Sequence, residues 1–456
     1  EKMDMLLDEV SQTVKTGGKV LVFVNSRKRS ETIAHLLKVN GFRADFNHAG
    51  LSKERRTQSQ NRMREGHIDV LVATSTLEMG VNFPARKVVI HDAYAFDGET
   101  FSSLSVQRYL QFSGRAGRAG LDNTGESVIF LPAWNGSKVD YLRGTPEPVR
   151  SGLFSTATLL QEVLCEVAGR LSISERHIEV NFAKGTLWRN QGGKLDLHKQ
   201  VLSLITAGLL RRSGEQEEYL NVTGLGRVAS QMGMTPGTVI LLADLFRDYK
   251  LITTFDLLMT CCLTGEATPH LGFNFEEIDQ MTDTILRVPS HLLDKPADKV
   301  LSMGLGLKEK RLMSAVKCAS ILHNYCQGET LEVLAARFDA YPLDIEFLKD
   351  NVSWVLETGQ RIFAILHHQS TEEKEKDELQ PSHHETVCRD LGRMLQYGIP
   401  FKALGLVAIE GIGPKRAQAL VRHGITNPAE ILDTDPEDLA HILRMRPPFL
   451  EKIMAS

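Results

Sequence analysis

The stretch Gln111-Phe112-Ser113-Gly114-Arg115-Ala116-Gly117-Arg118-Ala119-Gly120 sets two arginines three residues apart among glycines and other small residues. A guanidinium is always charged and presents a rigid fork of donors that matches phosphate oxygens. Glycine removes side-chain bulk, so neighbouring backbone can approach a ligand. On a helical turn, Arg115 and Arg118 would share one face. That arrangement suits charge neutralisation on a nucleoside triphosphate, as an arginine finger provides. A Gly/Arg-rich surface loop facing water would read the same from ten residues alone. The preceding hundred residues decide between the two.

Those residues read as elements that would carry the arginines to a sheet edge. Lys19–Val24 is a short, almost wholly apolar run of the kind a buried parallel strand requires. Asn25-Ser26 caps a helix to about Val39, and Gly41 ends it. Ala44–Asn47 is a second strand, Ser52 caps a helix over Lys53–Arg64, and Gly66 stops it. Val70–Thr74, Val88–His91 and Ser127–Leu131 are three more strands. Such alternation predicts a doubly wound parallel sheet. Ligands of these sheets bind at the carboxyl ends of the strands. Asn25, Ser26, Thr74, Gly80 and the Gln111–Arg118 turn are expected along that edge.

LVFVNSR (21–27), HAGLS (48–52), VLVATSTLEMGVNFPAR (70–86) and QFSGRAGRAG (111–120) resemble motifs IV, IVa, V and VI of superfamily 2 helicases, in that order. GVNFPAR followed by GRAGR is most similar to the Ski-type branch and, within it, to the archaeal repair and HelQ-like DNA helicases. The resemblance implies that Gln111, Arg115 and Arg118 contact ATP, with Arg118 the foremost arginine finger, and that Gly114 lies at the same cofactor site. It implies that Gly80 and Asn82 couple the nucleotide to the strand, and that Thr74 touches a nucleic-acid phosphate. Asn25, Ser26 and Arg27 would hold phosphates at a strand end and helix N-terminus. Where archaeal members commonly carry Pro after the threonine, this chain has Ser75.

Between the last two motifs, Asp97-Gly98 flanked by aromatics signals a tight hairpin. In the resembled family a hairpin here splits the duplex, and Phe96 or Phe101 would stack on the last base pair; an ordinary surface hairpin carries the same signal. A Gly-x-x-x-x-Gly-Lys-[Ser/Thr] phosphate loop and an Asp-Glu-x-His-type acidic box do not occur in these 456 residues. ATP and Mg²⁺ are the implied cofactors, and the Mg²⁺ ligands are expected mainly from a first RecA-like lobe, upstream or in another chain. The chain opens at Glu1 rather than Met and is read as one piece of a larger enzyme.

Thr145-Pro-Glu-Pro148 marks a linker. After it, two helical stretches (156–168 and 174–181) lead to a helix at Leu195–Ala207. Strands at 209–212 and 218–222 follow, and Thr223 caps another helix, a winged-helix pattern. From Pro236 the periodicity is helical. Trp354 and Arg361, two turns apart, share one face of one helix. Read alone they are a core Trp beside a solvent Arg; the resemblance implies a ratchet helix under a translocating strand. Cys318-x4-His323-x2-Cys326 lacks structural zinc spacing and lies in a continuous helix, so no metal site is expected. Gly411-Ile-Gly413-Pro-Lys415-Arg416 matches a helix-hairpin-helix, whose turn and basic residues suit a DNA phosphate.

The expected architecture is an α/β RecA-like lobe (1–148) followed by mostly α domains: a winged helix (149–235), a helical ratchet bundle (236–395) and a helix-hairpin-helix (396–456). Hydrophobic content of 42%, charged content of 24% and a formal net charge of −4 are ordinary for a globular chain, so nucleic-acid contact must come from local patches. Six scattered cysteines fit a reducing compartment, cytoplasmic or nuclear, and no membrane partner is expected. The expected function is ATP-dependent 3′-to-5′ unwinding of DNA, with single-stranded and forked DNA as partners. The rivals are a Ski-type RNA helicase and a non-catalytic module that binds structured DNA.

Overall fold

The computed structural model describes residues 1–75, 85–96, 101–117, 124–132, 140–149, 151–185, 196–272, 277, 309–371 and 383–445. The chain divides into two compact units, Glu1–Val149 and Arg150–Ser456.

In the first unit, helix α1 (Lys2–Lys15) leads into β1 (Val20–Phe23), α2 (Arg27–Val39), β2 (Ala44–Asn47), α3 (Lys53–Arg64), β3 (Val70–Ala73) and β4 (Lys87–Ile90). A hairpin of β5 (Tyr94–Phe96) and β6 (Phe101–Ser103), helix α4 (Val106–Ser113) and β7 (Glu126–Ile129) complete it. Five strands pair in the order β2-β3-β1-β4-β7, all parallel. Alternate residues of the apolar runs point to opposite faces. Leu21, Phe23, Leu71, Val88 and Ile90 enter one core with Met63 of α3 and Phe112 of α4. Val20, Val22, Val70, Val72 and Val89 enter the other with Leu6 and Val10 of α1 and Leu37 of α2. This is the doubly wound α/β lobe expected of near-continuous apolar strands. Helix starts follow local chemistry: Ser26, Ser52 and Ser105 each accept a hydrogen bond at 3.2 Å from the backbone N–H three residues on. The Pro-Glu-Pro stretch is tied down, because Glu147 accepts the Val106 and Gln107 N–H groups at 2.7 and 3.1 Å. Those two backbone donors hold its carboxyl below the ordinary range.

The second unit is mostly helical. It begins with α5 (Thr156–Ala168), α6 (Glu175–Ala183) and α7 (Leu197–Thr206), then the antiparallel pair β8 (Leu210–Ser213) and β9 (Tyr219–Val222), then α8 (Gly224–Met232). That is a winged-helix arrangement. Its closure depends on Gly226, where a Cβ would lie 2.1 Å from the Leu209 carbonyl oxygen, so α8 rests directly on the backbone leading into β8. Next come α9 (Pro236–Asp248), α10 (Thr254–Leu263), α11 (Glu309–Tyr325), α12 (Leu331–Arg337), α13 (Pro342–Thr371) and α14 (His383–Tyr397). Every residue of Phe255–Leu263 is buried, which places α10 at the bundle centre. The tail adds α15 (Pro414–Arg422), α16 (Pro428–Leu432) and α17 (Pro436–Leu443). One continuous apolar core runs from Leu159 through the bundle to Leu443. Among the described residues no helix is long and apolar enough to cross a membrane.

Candidate functional site

The carboxyl edge of the parallel sheet gathers the first group of candidate residues. Phe23, Val24, Asn25, Thr74, Asp92, Arg108 and Phe112 line a cleft of about 160 Å³ there. Asn25 lies two residues past the end of β1; its N–H donates to Asp92 at 3.0 Å and its amide to the Tyr94 carbonyl at 3.1 Å. The Asn25 side chain therefore braces the start of the hairpin. Ser26 is exposed and caps α2, and the half-buried Arg27 opens that helix. Thr74, at the end of β3, is nearly buried, and its N–H reaches the Asn47 carbonyl at 3.3 Å.

Asp92 is the residue that motif reading misses. Its side chain is 4% exposed and receives Arg29 at 3.0 Å, Lys2 at 3.2 Å and the His91 ring at 2.9 Å. Burial alone would raise its pKa, but the His91 hydrogen bond, the Asn25 N–H and the nearby cations outweigh it and hold the carboxyl far below its usual range. The cluster ties α1, β1, α2 and the end of β4 into one edge. A signal was available: His91-Asp92 immediately follows a buried strand, where functional side chains of such sheets collect.

The arginine segment departs from expectation: residues 115–117 lie not at the carboxyl edge but at the amino edge of the sheet, beside Ala85 and Gly125, which precede β4 and β7. Helix α4 ends at Ser113 with Gly114 as its cap, so Arg115 lies beyond the helix and does not begin an i, i+3 face. Instead, Ala85 N–H donates to the Arg115 carbonyl at 3.0 Å and Gly117 N–H donates to the Ala85 carbonyl at 2.7 Å. On the other side a Cβ at Gly125 would lie 2.5 Å from the Ala116 backbone. Residues 115–117 thus form a turn off the end of α4 that is clamped at Ala116 between Ala85 and Gly125, and Gly117 has φ of +96°. Gln111 is exposed on α4, one turn before this clamp. Arg118, Gly80 and Asn82 lie outside the described residues. Phe96 and Phe101 pair through their backbones at the end of the hairpin next to its connecting residues, while Asp97-Gly98 lies outside the described residues.

In the second unit, α13 has two distinct sides. Ile345, Leu348, Val352, Val355, Leu356 and Ile362 are buried. Trp354 is 37% exposed and Arg361 about half exposed, paired with Glu357 at 2.9 Å. The reading of Trp354 as a core residue does not hold: an indole and a guanidinium face outward about 10 Å apart along one helix. At the tail, Gly411 has φ of +90° and Gly413 starts α15 without a side-chain cap. Lys415 is exposed, whereas the Arg416 guanidinium donates to the Gly411 carbonyl at 2.7 Å and closes the turn. Burial pushes the Cys318 thiol up to about 11 and the Cys388 thiol up to about 12.

The family description "Helicase conserved C-terminal domain" matches residues 1–120, and "SAM-like Helix-hairpin-helix tandem" matches residues 403–445. An ATP-dependent DNA helicase Hel308 from Thermoplasma volcanium is 26% identical over 94% of this chain and 62% of its own length. The resemblance to Ski-type superfamily 2 DNA helicases stands. The Hel308 helicase of Aeropyrum pernix is 25% identical over 98% of this chain and 63% of its own length. The chain thus spans less than two thirds of the helicases it resembles. Among solved structures, the carboxy-terminal domain of the DEAD-box protein Dbp5 is 26% identical over 29% of this chain and 71% of that one, with a TM-score of 0.25. In helicase terms, the parallel-sheet unit is the RecA-like carboxy-terminal lobe, and helical elements ending in the helix-hairpin-helix follow it.

Proposed function

We propose that this chain is the carboxy-terminal part of an ATP-dependent DNA helicase that moves 3′ to 5′ and opens forked or repair-intermediate DNA. The observation that carries the reading is that one lobe fixes both groups: Ser26 and Thr74 stand at the carboxyl edge of its sheet, and the Arg115 segment is clamped between Ala85 and Gly125 at the amino edge. Similarity to proteins named as DNA helicases along most of the chain supports it. In this reading residues 1–148 form the second RecA-like lobe, 149–235 the winged helix, 236–395 the ratchet bundle and 396–456 the helix-hairpin-helix.

Arg115, Arg118 and Gln111 would meet the triphosphate from the second-lobe side, with Gly114 allowing close backbone approach. Gly80 and Asn82 would relay its state to the sheet edge, where Ser26, Arg27 and Thr74 hold strand phosphates. Trp354 and Arg361 would grip successive nucleotides, and the Gly411–Lys415 turn would hold a phosphate further along. Phe96 and Phe101 would meet the duplex end. Among the described residues no cluster of three His, Cys, Asp or Glu side chains could hold a metal ion, so no Mg²⁺ ligand is assigned here. The ATP phosphate loop and the acidic box belong to a first RecA-like lobe. Such an enzyme works in the cytoplasm or nucleus.

Strand displacement by the chain joined to a first lobe tests the reading. Unwinding of a 3′-tailed DNA duplex, with none on a 5′-tailed duplex, is expected. Displacement from an RNA tail but not a DNA tail would favour the RNA helicase. DNA binding without displacement of either would leave a binding module.

A further inference from the structure

We propose that Asn25 and Tyr141 are positioning residues for duplex opening, because together they fix the root of the β5–β6 hairpin to the carboxyl edge of the sheet. This rests on the helicase reading above, in which the hairpin meets the duplex end; that reading gives neither residue a part in opening it. The two strands of the hairpin form a sheet of their own, apart from the five parallel strands. A lone two-stranded hairpin is marginally stable at best, so its direction depends on what holds its root.

On the β5 side the holder is Asn25. Leu104 N–H donates to the Ala93 carbonyl at 2.8 Å, next to the Tyr94–Ser103 pair of the strand register. Bonded and non-bonded pairs alternate along an antiparallel ladder, so the Tyr94 carbonyl points away from β6. The Asn25 amide meets that carbonyl at 3.1 Å, while the Asn25 N–H meets Asp92 at 3.0 Å. One residue thus grips the chain on both sides of Ala93, where it leaves β4 for the hairpin.

On the β6 side the holder is Tyr141. Its ring is buried beside Tyr109 of α4, with 5.2 Å between ring centres, and its hydroxyl donates to the Leu104 carbonyl at 2.7 Å. Leu104 is the last residue of the root before Ser105 caps α4. Helix α4 runs from there to the Arg115 segment at the amino edge, about 12 Å on. The root therefore lies between Ser26, the neighbour of Asn25 in sequence, and the helix that carries the arginine segment. A hairpin fixed there moves with its lobe. Lobe movement driven by ATP is then delivered to the duplex end rather than absorbed at the root.

The test compares wild type, Tyr141→Phe, Asn25→Ala and the double variant, each in the chain joined to a first lobe. ATP hydrolysed and base pairs opened are measured in the same reaction on a 3′-tailed DNA duplex. Tyr141→Phe keeps the buried ring and Asn25 is exposed, so unchanged melting would show the variants folded. DNA-stimulated ATP turnover of Tyr141→Phe should stay at the wild-type level. Base pairs opened per ATP should fall about twofold or more in each single variant and about tenfold in the double, as one and then two lost hydrogen bonds favour a released hairpin. A loss of packing alone would lower hydrolysis and opening in step and leave their ratio unchanged. A wild-type ratio in the double variant would overturn the proposal and leave the helicase reading intact. Weaker single-strand binding at an unchanged ratio in Asn25→Ala would overturn it in favour of a phosphate contact by Asn25. No duplex opening by the wild-type joined form would overturn the helicase reading and the proposal with it.

Discussion

Asp92 accepts hydrogen bonds or ion pairs from Asn25, Arg29, Lys2 and His91 while almost wholly buried, so it holds together the carboxyl edge on which Asn25, Ser26 and Thr74 stand. Replacing it by Asn keeps the shape and removes the charge. Asp92→Asn is expected to destabilise the amino-terminal unit by about 2–4 kcal/mol in urea unfolding at neutral pH. The sign of the pH dependence follows from the depressed native pKa. The stabilisation is present above the unfolded carboxyl value of about 3.9 and is lost as pH falls through the lower native value. The gap between wild type and variant should therefore narrow in strong acid; a gap independent of pH would contradict the charge-based account. Gly125 tests the clamp at the amino edge of the same sheet. A methyl group there meets the Ala116 backbone, so Gly125→Ala should displace the Arg115 segment. In the enzyme joined to a first lobe, ATP turnover should fall by about tenfold or more, equivalent to about 1.4 kcal/mol in the barrier, with oligothymidylate affinity unchanged.

At the scale of elements, the strands were legible because apolar runs such as Val20–Phe23 and Val70–Ala73 suit strands buried on both faces. Ser26, Ser52 and Thr223 cap helices where their spacing indicates, since a cap depends on residues three apart. The end of α4 was not legible. Its stop depends on Ala85, some thirty residues earlier, and on Gly125, and no local pattern reports either partner. The same applies to Asp92, whose neighbours come from separate elements. For α13 the heptad spacing of Trp354 and Arg361 was visible, but only the fold shows that this face is turned outward. Trp354→Ala should therefore change stability by less than about 1 kcal/mol, as surface substitutions do. It should weaken single-stranded DNA binding by about 5- to 160-fold, because stacking on an aromatic contributes about 1–3 kcal/mol per base. A large loss of stability with unchanged affinity would return the Trp to a packing role.

At the scale of the molecule, the chain combines a parallel-sheet lobe with a winged-helix and bundle unit that shares one apolar core with the helix-hairpin-helix tail. The described residues offer an arginine segment and surfaces suited to strand phosphates, but no cluster able to hold a metal ion. The central claim is that these surfaces form the second-lobe half of a DNA-dependent ATPase. The most direct measurement is ATP hydrolysis with and without single-stranded DNA, by the chain alone, by the chain joined to a first RecA-like lobe, and by the joined form carrying Arg118→Ala. The account predicts no turnover by the chain alone, DNA-stimulated turnover in the joined form, and a loss of about a thousandfold on removing the finger. Turnover by the chain alone, or a joined form indifferent to Arg118, would contradict it.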